Sequence, residues 1–120
     1  MSIVPKRVLM TVYGSKPADW KQHMKGRGWV YKTAKIAPSA YLHPTSIVGD
    51  WATVGNSAKI GNSAKTGNWA KIGNSATVGD GAKIGEGAKI GEGAKIGNSA
   101  TVGDGAKIGE GAKTGNWAKI

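Results

Sequence analysis

Chemistry in this 120-residue chain must come from a short inventory. There are two histidines, His23 and His43, and seven carboxylates, with no cysteine at all. Without thiols there are neither disulfides nor thiolate metal sites. With only two histidines there is no set of three His ligands, so no metal-ligating cluster is read. No Ser-His-Asp grouping is evident. The stretch GEGAKIGEG imitates a dinucleotide fingerprint, but its glycines recur periodically, which marks turn chemistry. On the residues alone no catalytic residue, metal or cofactor is assigned. His43 reads as a turn residue beside Pro44, and His23 as a surface residue of a short helix.

Cations are the conspicuous chemistry. Residues 1–32 carry Lys6, Arg7, Lys16, Lys21, Lys25, Arg27 and Lys32 against Asp19, a net +6; residues 33–120 carry ten Lys against six acids, a net +4. The charge is therefore concentrated at one end, interleaved with Trp20, Trp29 and Tyr31. Arginine and lysine beside aromatic rings can hold a phosphate and stack a base. The expected ligand site is Arg7, Lys25, Arg27 and Lys32 with Trp29 and Tyr31, for an anionic small molecule of nucleotide or phosphosugar type. Nucleic acid stays open as a partner.

These residues are positioned by a repeat. Every sixth residue from Val30 to Ile120 is aliphatic, except Thr66 and Thr114. Two places earlier stands a small residue, mostly Ala, and from Gly49 to Gly115 a Gly follows directly. A spacing of two puts Ala and the aliphatic on one face of an extended segment, and the Gly with its Asn, Asp or Glu is expected to make the corner. Short strands joined by corners form a solenoid. The stretches I-G-x-x-A-x and YLHPTSIVGDWATVGNSAKIG, residues 41–61, resemble the hexapeptide repeats of left-handed parallel β-helix proteins, such as the bacterial hexapeptide acyltransferases that include the UDP-N-acetylglucosamine acyltransferases.

That resemblance implies an all-β fold, a left-handed triangular prism of about five 18-residue coils over residues 31–120. Residues 1–30 form a basic cap, expected as a strand over RVLMTVYG and a short helix over SKPADWKQHMKG. The prism would be about 24 Å long. The resemblance also implies a homotrimer with parallel axes and, in the enzymes, a histidine base between subunits; His43 falls on a corner position without that role. The family's enzymes extrude loops to build substrate pockets, and residues 31–120 contain no insertion.

Residues 18 apart stack, so Trp51 and Trp69 should stack on one corner and are expected at a subunit interface. Asn, Asp and Glu should form corner ladders with side-chain amides pairing along the axis. Stacking of the C-terminal coil on another assembly is a further expectation. No apolar run reaches the ~20 residues of a membrane helix, and a cytoplasmic setting is expected. Three functions stay open: a non-catalytic binding module, a structural or designed scaffold, and a reduced acyltransferase.

Overall fold

The computed structural model describes residues 4–120. After a four-residue helix, α1 (Lys6–Leu9), and a 3-10 turn at Pro17–Asp19, the chain is strand and turn throughout. Strands β1 (Trp20–Gln22) and β2 (Trp29–Tyr31) precede fourteen two-residue strands from Lys35–Ile36 to Lys113–Thr114. They form three sheets in which each repeat strand pairs in parallel with the strand 18 residues on, as Lys35 with Thr53 and Thr53 with Lys71. The result is a left-handed parallel β-helix of about five turns.

The core follows the hexapeptide rule. The inward aliphatics from Leu42 to Val102 and the alanines from Ala40 to Ala100 are buried along a single axis. Thr66 is buried with them, between Val48 and Ile84, and its Oγ1 has no hydrogen-bond partner. A buried unpaired hydroxyl is destabilising by roughly 1–3 kcal/mol. Thr66→Val keeps the shape and removes the polar atom, so it is expected to raise the thermal unfolding midpoint; a midpoint that falls would show that Thr66 is satisfied in solution. Trp69, three residues on, is exposed.

The corners differ from expectation in two ways. The glycine after each aliphatic is not the residue with positive φ; that is the residue two places later, such as Trp51, Ser57 or Gly81. The glycine is small because the next coil's backbone occupies the place of a Cβ: at Gly73 that position lies 2.7 Å from Glu92 N and 2.8 Å from Gly91 C. Nor do the corner amides pair with one another. The Oδ1 of Asn68, Asn74, Asp80, Asn98, Asp104 and Asn116 accepts the backbone N–H of the residue 18 earlier, at 2.8–2.9 Å. The αL residue beside it donates back to the preceding coil, as Trp69 N–H does to Asp50 O at 2.8 Å. Glu86, Glu92 and Glu110, one methylene longer, make no such bond among the described residues.

The cap reverses the expected order of elements. RVLMTVYG starts as helix, because Val4, Val8 and Val12 recur every four residues and bury together, whereas the strand alternation needs Met10, which is 73% exposed. SKPADWKQHMKG is not a helix: Met24 is 87% exposed, and Trp20–Gln22 pairs antiparallel with β2. Strand β1 covers one edge of the first coil. Lys25–Gly28 covers a second through Leu42 N–H to Lys25 O, 3.1 Å, and Gly28 N–H to Leu42 O, 3.0 Å. The valines close over Trp20, Trp29, Tyr31 and Ile47 as a second small core.

Candidate functional site

The expected ligand residues do not all present themselves to solvent. Trp29 and Tyr31 are buried in the second core, and Trp20 meets Tyr31 edge-on at 5.1 Å. Their rings seal the first coil, so neither offers a free face to a base. The cations are distributed around the cap. Arg7 Nη1 donates to Thr45 O, 3.1 Å, and Arg27 Nη2 to Gln22 Oε1, 3.2 Å. Lys32 pairs with Asp19 at 3.0 Å and lies 6.0 Å from the Tyr31 ring centre. The Lys16 amide, and then the Lys32 ammonium, hold the Asp19 carboxyl below its ordinary range. The hydrogen bond to Asp19 raises Lys32 in turn.

Lys25 is different. It lines an open groove of about 510 Å³ with Ser39, Tyr41, Ser57, Ala58 and Lys59. Two ammoniums flank a phenol there, and Ser39 Oγ accepts Ser57 N–H at 2.9 Å, which leaves its proton for a ligand. A second groove of about 300 Å³ begins on the other side of Tyr41 and Lys59, lined by His43, Thr77, Asp80 and Asn98 among others. Both belong to the face whose outward column reads Tyr41, Lys59, Thr77, Lys95, Lys113.

His43 is held by the corner after that strand. The Thr45 hydroxyl has one proton and two lone pairs. Its proton goes to Asn62 Oδ1, and one lone pair accepts Ser63 N–H at 2.8 Å. The other lies 3.2 Å from His43 Nδ1. The Thr45 amide N–H points at the same nitrogen, 3.5 Å away. These contacts hold the ring by Nδ1, and Nε2 has no protein partner among the described residues. His23 is not a surface helix residue: it is half-buried in the cap turn, its Nε2 2.9 Å from Ala40 O.

The sequence reading missed the His43 groove because it treated outward positions one column at a time. Ile47 and Trp29, apolar at outward positions in consecutive coils, signal instead where the cap docks, on another face. Trp51 and Trp69 stack as expected, centroids 5.6 Å apart and planes 18° apart. Among the described residues no group of three or more His, Cys, Asp or Glu could hold a metal. No helix among them is long and apolar enough to cross a membrane.

Fold and repeat together define a hexapeptide β-solenoid. Residues 57–91 and 87–120 match the sequence profile of the bacterial transferase hexapeptide (six repeats) family, and the chain belongs to it. No curated protein matches at a significant level. Solved structures similar to it include the acetyltransferase domain of PglB from Neisseria gonorrhoeae (22% identity, 76% of this chain and 47% of that one, TM-score 0.50). Others are a perosamine N-acetyltransferase from Caulobacter crescentus (20%, 75% and 49%, TM-score 0.39) and serine acetyltransferase isoform 3 from Entamoeba histolytica (19%, 72% and 34%, TM-score 0.35). The likeness to the first is one of fold. The chain spans about half the length of the first two and a third of the last.

Proposed function

We propose that the chain is an acyltransfer-type hexapeptide module that binds an anionic thioester donor such as acetyl-CoA. Family membership favours this over a purely non-catalytic anion-binding module. The observation that carries the reading is the meeting of the two grooves at Tyr41 and Lys59, which joins Lys25 to His43 along one face. A donor lying along it has its phosphates against the Lys25 and Lys59 ammoniums and its acyl end beside His43. His43 Nε2 takes the proton of an acceptor amine or hydroxyl as that atom attacks the thioester carbon. The C–S bond then breaks and the thiolate is reprotonated. The cap cations strengthen the positive field at this end of the prism. Assembly as a homotrimer, with a cytoplasmic setting, belongs to the same proposal.

The test is release of free thiol from acetyl-CoA in the presence of a panel of primary amines and sugars, together with calorimetry of CoA binding. Saturable CoA binding weakened by neutralising Lys25 and Lys59 together, with acceptor-dependent thiol release, is the expected result. CoA binding that ignores both lysines sinks the donor site, and binding without turnover reduces the protein to an anion-binding module.

A further inference from the structure

The corner opposite that face carries a feature the groove does not use. Of the residues with positive φ in the repeat region, all are Ser or Gly except Trp51, Trp69 and Trp117. A bulky L-residue in the left-handed region is strained. Stacking on one another covers only part of each indole. Yet Trp51 and Trp69 adopt this conformation in consecutive coils, 49% and 58% exposed. Left-handed Trp in two consecutive coils of one corner, where the chain otherwise uses Ser or Gly apart from the isolated Trp117, points to a binding role.

The stack stops at an empty rung. The next residue in the column is Gly87, φ +70°, with nothing within 4 Å of the place a Cβ would take. The face of Trp69 turned away from Trp51 is therefore uncovered. Asn68, Glu86 and Asp104 form the neighbouring column. Asn68 Oδ1 accepts Asp50 N–H, which leaves its amide hydrogens to donate. Asp104 Oδ1 accepts Glu86 N–H, which leaves its second oxygen, and the Glu86 carboxylate has no partner among the described residues.

We infer that this corner is a stacking site for a pyranose ring of a neutral glycan. The C–H face of the ring lies on the Trp69 indole in the Gly87 rung, as apolar surface on an aromatic face. Its hydroxyls, which both donate and accept, satisfy Glu86, Asp104 and the Asn68 amide. The two carboxylates disfavour a phosphorylated or carboxylated ring. The site lies apart from the His43 groove and does not rest on acyl transfer.

Calorimetry and tryptophan emission with cellohexaose and the N-acetylglucosamine hexamer test it. Either sugar is expected to bind and shift the emission. Trp69→Ser, a residue the chain already uses at this position in Ser57 and Ser75, is expected to weaken binding by about tenfold or more. Trp117→Ser, on another corner, should leave it unchanged. Failure of both sugars to bind overturns the inference, as does binding untouched by Trp69→Ser. Concentration-dependent self-association that Trp69→Ser abolishes also overturns it, and gives the corner to a subunit contact.

Discussion

Replacing His43 by Asn is expected to lower acyl transfer from acetyl-CoA by about 10²- to 10⁴-fold, the range for loss of a positioned general base. The apparent KM for the donor should change little, because the proposed donor site holds the charge through Lys25 and Lys59. Asn keeps a donor toward Thr45 Oγ1 and the size of the corner residue, but supplies no base. His23→Asn serves as the control. That ring is tied to Ala40 O inside the cap and faces neither groove, so its loss should alter cap stability and leave turnover of the folded protein intact. Thr45→Val removes the hydroxyl 3.2 Å from Nδ1 and should give an intermediate loss, as the ring is less firmly held. Full activity in the His43→Asn variant would remove His43 from the chemistry, whatever CoA binding shows.

The second large effect is on the scaffold. Gly73→Ala is expected to destabilise the protein by about 3 kcal/mol, the upper range for forcing a methyl into filled space. Its Cβ would stand 2.7 Å from Glu92 N and 2.8 Å from Gly91 C. Both are backbone atoms tied into the next coil, so neither can swing away as a side chain would. Gly93→Ala is the informative comparison. Gly93 has φ +71° and open space around it, so Ala there meets only the left-handed penalty of roughly 1 kcal/mol. Chemical denaturation of the two variants measures the difference directly. If Gly93→Ala proved the worse, corner conformation rather than coil spacing would be the reason for the periodic glycine.

The periodicity was enough to read the prism, because one rule is repeated until chance is excluded: Ala40 and Leu42 are buried on the axis as Ala94 and Ile96 are. The stacking of Trp51 on Trp69 followed from the same 18-residue count. The cap was read with its elements reversed, since it is short and its segments match two periods at once. Val8 and Val12 fit an alternating strand as well as a helix, and only docking on Ile47 and Trp29 decides between them. The purpose of the following glycine was hidden too, because a close approach between coils leaves no trace in the residues nearby. Trp29 and Tyr31 show the limit for the site. An aromatic among cations has the same composition whether its ring faces a ligand or seals a core.

The corner bonds have one more consequence. Every bond from a corner side chain to a neighbouring corner's backbone N–H spans 18 residues, and the ladder pairs share that spacing. Each coil is thus coupled to the one before and the one after, and to nothing further along the axis. Such a chain has no fixed copy number. Gene duplication or loss of whole coils within the repeat presents each surviving coil with the same kind of partners it had before, whereas a change that is not a whole number of hexapeptides puts the later rungs out of register. GDGAKIGEGAKIG at residues 79–91 and GDGAKIGEGAKTG at residues 103–115 are nearly identical at an offset of four hexapeptides, which fits a chain that grows by copying hexapeptides rather than whole coils.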